Sequence, residues 1–137
     1  MITHLSHATF FVKNQDTALE FYTKKLGFSV ETDVLMGDFR WLTVRAPEQK
    51  ELVIVLLDPA AMFDEAPDAV GKITELQAAG KLGAGVFHTL DCEKTYEHLK
   101  AKGVKFRQAP ERRPYGVEAI LEDDSGNWFS LTQPHAE

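Results

Sequence analysis

The chain has 137 residues, 44% hydrophobic and 26% charged, which fits one folded domain with a sizeable core and argues against intrinsic disorder. Its formal net charge is -6 and no basic stripe runs along any segment, so a nucleic-acid partner is not expected. No stretch approaches the ~18 apolar residues that cross a bilayer, no basic segment leads an apolar run at the amino terminus, and the single Cys92 cannot form an internal disulfide; a cytoplasmic protein with no membrane partner is the expectation.

In chain order, Ala8 to Val12 is a short apolar run that reads as a strand. Asn14 and Asp16 offer N-cap oxygens, and Thr17 followed by Glu20 has capping-box spacing. Ala18, Leu19, Tyr22 and Leu26 recur at helical spacing, and Gly27 closes the helix. Phe28 to Glu31, Phe39 to Val44 and Leu52 to Leu57 then read as strands, with turns at Gly37 and Pro47. The segment Pro59 to Gly83 is an insert: Pro67 suits a first helical turn, Val70, Ile73 and Leu76 have helical spacing, and Gly80 ends the helix. A mobile stretch is expected around Met62 to Ala66, so that the insert serves as cover for a sheet or as a lid.

From about residue 84 the opening order returns. Val86 to Thr89 is a strand, Asp91 caps a helix carrying Thr95, Tyr96 and Leu99, and Gly103 ends it. Val104 to Arg107, Val117 to Leu121 and Trp128 to Thr132 follow as strands, with a turn at Asp124-Ser125-Gly126-Asn127. A shift of about 77 positions lays Leu19 on Tyr96 and Tyr22 on Leu99, so both helices present the same apolar face. The expected fold is α+β: two βαβββ modules, about 1–58 and 84–137, joined by a connector at about 59–83. Each module alone leaves one sheet face bare, so the two should share a concavity.

Phe21-Tyr22, Leu26-Gly27-Phe28 and, in the second half, Asp91-Cys92, Thr95-Tyr96, Gly103-Val104, Pro114-Tyr115-Gly116 and Gly126-Asn127 occur in an order that resembles the vicinal oxygen chelate superfamily. That superfamily includes glyoxalase I, bleomycin-resistance proteins and extradiol dioxygenases. The resemblance implies U-shaped mixed sheets around a central cavity. It also implies, in metal-using members, ligands on the first and last strand of each half, holding a divalent ion that binds two adjacent substrate oxygens. Carried over position by position, those ligands fall on His7, Val55, Ala84 and Ser130, of which only His7 is a good donor. A shifted register would instead offer His7, His88 and Glu118 as two histidines and a carboxylate.

Strand parity points to an apolar pocket with a few polar groups. Leu42 and Val44 suit packing against a helix, which leaves Trp41 facing the concavity, at the repeat position that matches Glu118. His7, His88, Tyr115, Glu118 and Ser130 would supply directed polar contacts. A carboxylate beside an indole should have a raised pKa and act as a base, which makes Glu118 the candidate catalytic residue. Arg112 and Arg113, expected on a rim loop, could grip an anion, Arg113 being the candidate contact. Three functions are consistent with this reading: a metal-independent small-molecule binder resembling the bleomycin-resistance branch; a divalent-metal-dependent lyase, isomerase or dioxygenase; and a metal-free enzyme using Glu118 or His7 as acid–base. The binder leads, with no cofactor expected and a divalent metal as the alternative, because Val55 and Ala84 offer no ligand and Ser130 is at best a weak one. An isologous homodimer is the expected assembly.

Overall fold

The computed structural model describes residues 1–136 and divides into two compact units, Met1–Thr74 and a second that starts at Glu75 within a helix. The first contains β1 (His7–Phe11), α1 (Gln15–Glu20), a π-helical turn (Phe21–Lys25), β2 (Ser29–Met36), β3 (Phe39–Arg45), β4 (Val53–Leu57), α2 (Pro59–Met62) and most of α3 (Pro67–Ala78). The second contains the end of α3, then β5 (Gly83–His88), α4 (Cys92–Ala101), β6 (Lys105–Arg113), β7 (Gly116–Glu122) and β8 (Trp128–Pro134). Each unit has a four-stranded mixed sheet, in the orders β1-β4-β3-β2 and β5-β8-β7-β6. In both, the first and last strands pair in parallel and the rest are antiparallel, so the internal repeat extends to topology.

Local chemistry explains the first helix. Asn14 is its cap, with Oδ1 accepting from the Thr17 amide at 3.0 Å. The Thr17–Glu20 capping box does not form; Glu20 instead accepts from Lys24 at 2.7 Å, one turn on. The last turn widens to i→i+5 bonding, with the Leu26 amide on the Phe21 carbonyl, before Gly27 takes φ +78° and turns the chain into β2. Both faces of the inner strands are buried, β4 along its whole length and β3 at Leu42, Thr43 and Val44. Leu42 and Val44 are fully buried, and Phe10 on the same face meets the Tyr22 ring at 6.0 Å. Gln15 fastens the helix start to the sheet by donating to the Arg40 and Leu56 carbonyls.

In the second unit Ala119, Leu121, Phe129 and Leu131 form the matching buried face, against Cys92 and Leu99 of α4. Asp91 caps α4 through the Lys94 amide, as expected. The Asp124–Asn127 turn is locked by Asp123, whose Oδ1 accepts from the Ser125 and Asn127 amides. Gly126 lies against α3: a β-carbon there would come within 2.3 Å of the Gln77 carbonyl oxygen, while the buried Gln77 amide donates to Asn127.

The structure corrects several bounds. β2 runs to Met36, and β6 extends to Arg113, so Arg112 and Arg113 are strand residues rather than rim-loop residues. In the Met62 to Ala66 stretch the Phe63 amide donates to the Pro59 carbonyl and the Ala66 amide to the Phe63 carbonyl, and Phe63 meets the Phe11 ring.

Candidate functional site

The first sheet's non-helical face carries a small aromatic group. His7 and Trp41 lie with ring centroids 6.2 Å apart, and Phe39 meets Trp41 at 6.5 Å. His7 is exposed and bonded to Ser6 Oγ through Nδ1 at 3.0 Å, while Trp41 is half-buried. Trp41 shares its face with the fully buried Thr43, and Leu42 lies on the other face.

The second sheet holds a denser polar cluster centred on Glu118. Direct cross-strand pairing sets Glu118 of β7 beside Thr132 of β8 and Glu111 of β6. Glu118 Oε1 accepts from the Tyr115 hydroxyl at 2.7 Å and Oε2 from Ser130 Oγ at 2.6 Å. Ser130 has one proton, already given to Glu118, so its 2.7 Å contact with Thr132 must be donated by Thr132. The cluster is therefore a directed chain from Thr132 to Ser130 to Glu118. Tyr115 stays 51% exposed, whereas the Glu118 side chain is 15% exposed. His88 sits one strand further out, on β5 opposite Thr132, and is exposed.

Two carboxylates directly across a ladder repel. Arg113 relieves this: Nη2 is 2.9 Å from Glu111 and donates to Gln108 Oε1 at 3.0 Å, while Nε lies 3.7 Å from Glu118. Its charge is thus compensated within the sheet, which counters the expectation that it is poised to grip an anion. Gln108 also donates to the Glu118 carbonyl at 3.0 Å. Glu111, Gln108 and Thr132 escaped sequence reasoning. Thr132 was within reach of it, two residues after Ser130 on one strand; the other two lie around bulges in β6 that break alternation.

The raised pKa expected for Glu118 is not what this surrounding gives. Burial alone pushes it up, but hydrogen bonds from Ser130 and Tyr115 and the Arg113 charge outweigh burial and hold the carboxyl below its ordinary range. The Tyr115 hydroxyl is correspondingly pushed up, chiefly because it donates to Glu118.

The four metal positions implied by the resemblance have a donor set that does not fit a divalent ion. The Val55 and Ala84 side chains have no donor atom, and the Ser130 hydroxyl is engaged with Glu118 and Thr132. Among the described residues no group of three His, Cys, Asp or Glu side chains that could hold a metal ion is found. Nor is any helix among them long and apolar enough to cross a membrane.

Comparison with known proteins places this architecture. The model of the Glyoxalase/Bleomycin resistance protein/Dioxygenase superfamily matches residues 4–131. UcmS2, of known crystal structure, is 43% identical with a TM-score of 0.90, over 97% of this chain and 99% of its own. TnmS3, an antibiotic-binding protein from Streptomyces sp. CB03234, is 28% identical with a TM-score of 0.76, over 98% of each chain. The uncharacterized protein YurT of Bacillus subtilis (strain 168) is 39% identical over 123 residues, 90% of this chain and 93% of YurT. With the family model spanning nearly the whole chain and each half built as a four-stranded mixed sheet, the chain belongs to the glyoxalase/bleomycin resistance protein/dioxygenase superfamily.

Proposed function

We propose that the chain is a small-molecule-binding protein of the bleomycin-resistance kind that works without a metal and holds its ligand on the Glu118 face of the second sheet. The observation that carries this reading is the direction of the protons around Glu118. Tyr115, Ser130 and Thr132 all turn their hydroxyl protons inward, so an arriving molecule meets lone pairs on Tyr115 and Glu118. The natural complement is a ligand rich in N–H and O–H donors. A carboxylate held ionised by three neighbours is a weak base, which favours binding over acid–base catalysis at Glu118. The ring group of His7, Phe39 and Trp41 offers, on the first unit, a surface suited to a flat apolar body. That TnmS3 binds an antibiotic, at 28% identity, supports the same class of ligand. The homodimer belongs to this proposal; β2 is an edge strand with Val34, Leu35 and Met36 exposed, and light scattering on the purified protein reads the mass directly. So does a cytoplasmic location, consistent with the free Cys92.

The test is a thermal-shift and calorimetric screen with bleomycin and a panel of polycyclic aromatic antibiotics, with and without EDTA. Stabilisation by a ligand that EDTA leaves intact, and that falls in Glu118→Gln, supports the proposal. Binding that requires added divalent metal would overturn it.

A further inference from the structure

The face that carries Glu118 continues to a second feature. Two residues along β7 from Glu118 is Ile120, and two residues before Ser130 on β8 is Trp128, so both share the Glu118 face at a distance of roughly 7 Å along each strand. There, Ile120 and Trp128 line an open pocket of about 350 Å³ together with Gly80, Lys81 and Arg107. The lining combines an indole and a branched aliphatic wall with two cations.

Two glycines make this arrangement possible. At Gly83 an added β-carbon would fall 2.6 Å from Trp128 Cζ2, so the indole lies directly on the β5 backbone. At Gly80, which has φ +69°, the same carbon would fall 2.4 Å from Arg107 Nη2, so the guanidinium lies on the chain that leaves α3. Arg107 is held at two points, Nε on Glu122 Oε1 and Nη1 on the Gly80 carbonyl at 2.7 Å. Its Nη2 has no protein acceptor among the described residues, nor has Lys81, which is exposed. Glu122 does not neutralise the rim: it faces Arg107 on one oxygen and Lys105 on the other, so three cations including Lys81 stand against one carboxylate.

We infer that the pocket walled by Trp128 and Ile120 and rimmed by Arg107 and Lys81 binds an aromatic carboxylate, its ring against the indole and its carboxylate on the two cations. The inference rests on the small-molecule reading above in taking this sheet face as the ligand surface, and it adds the ligand's second chemical feature. A molecule spanning both places would carry N–H or O–H donors at the Glu118 end and an anion on a flat ring at the Trp128 end. Charge-assisted contacts on a pre-oriented guanidinium favour the anion over its neutral amide.

The probe is 1-naphthoate, compared with 1-naphthamide, titrated into the full chain while the Trp128 indole N–H is followed by NMR. The expected result is a shift of that signal, with the amide weaker by about tenfold. Lys81→Ala and Arg107→Gln should each pull naphthoate toward the amide's affinity, and Gly83→Ala should weaken both by lifting the indole. If Arg107→Gln fails to fold, Lys81→Ala, a change at an exposed side chain, decides the charge requirement alone. Equal affinity for the two probes, indifference to both cation variants, or an unmoved Trp128 signal overturns the inference. An antibiotic that binds through Glu118 while naphthoate stays silent would sink only this pocket; naphthoate binding as described with no antibiotic hit would sink the proposed function and leave the pocket standing.

Discussion

Ser130→Ala probes the electrostatics of the Glu118 cluster most directly. It removes a 2.6 Å hydrogen bond to a carboxylate that is 15% exposed and interrupts the Thr132–Ser130–Glu118 chain. A hydrogen bond to a charged group is worth about 1.5–3 kcal/mol, so that loss is expected at neutral pH. With about 2.1 cal/mol/K of unfolding entropy per residue, a domain of this length should lose roughly 5–10 °C in Tm. The pH dependence carries the sharper information. Glu118 is held below its ordinary pKa in the fold, so its stabilisation is fully present above the unfolded carboxylate pKa and fades as pH falls through the folded one. Ser130→Ala loses part of that stabilisation, and the gap between variant and parent should close as the pH is lowered through the acid range. Urea midpoints from pH 7 down to pH 3, with carbon-detected NMR titration of the Glu118 carboxyl, measure both quantities. A gap that stays constant across that range, or a parent Glu118 that titrates above the ordinary carboxylate range, would refute the reasoning.

Leu42→Ala empties a fully buried site and should cost about 2–5 kcal/mol in urea denaturation, whereas Trp41→Ala, on the half-buried face, should cost less than Leu42→Ala and weaken ligand affinity by roughly 1–3 kcal/mol; the reverse ranking in stability would contradict the strand parity. Elemental analysis of the purified protein should find well under one equivalent of zinc, nickel, manganese or iron, and a stoichiometric metal lost in His7→Ala would restore the metal-dependent reading. The Cys92 thiol is buried, its sulfur lies 3.5 Å from the Leu131 carbonyl, and burial pushes its pKa up, so iodoacetamide at pH 8 should label it only after unfolding; equal rates in buffer and urea would contradict this.

What was legible in the sequence was local or periodic. Asn14 and Asp91 were readable as caps because a cap needs only a side chain and an amide three residues on. Gly27 and Gly103 were readable as helix ends because their left-handed backbone is a single-residue requirement. The burial of Leu42 and Val44 was legible, that of Thr43 between them was not, and the repeat followed from the returning element order. The capping box at Thr17 failed because Asn14 is the cap, which leaves Thr17 in the first helical turn with its amide already donating to Asn14 Oδ1. β6 was cut short because its bulges put Gln108 and Glu111 out of alternation. Glu118 and Ser130 were singled out in the sequence and do meet in one hydrogen-bonded cluster, yet the sign of the Glu118 pKa was not legible. That sign depends on which hydroxyls point at the carboxylate, and cross-strand register, absent from any single segment, decides it.

The contact between Gly126 and Gln77 bears on how the second unit could be cut out of the chain. Periodicity places the second module's start near residue 84, which is the natural place to begin an isolated fragment. Such a fragment would leave Gln77 behind. The Asn127 side chain would lose the donor that reaches it across 50 residues, and the notch at Gly126 would open to water. The chain that begins at the end of α3 thus returns to the same spot after β7, closing the unit like a buckle on a strap. A fragment that begins upstream of Gln77 keeps the buckle and should melt higher than one that begins at Gly83, although the two differ by only a few residues of helix and share every strand.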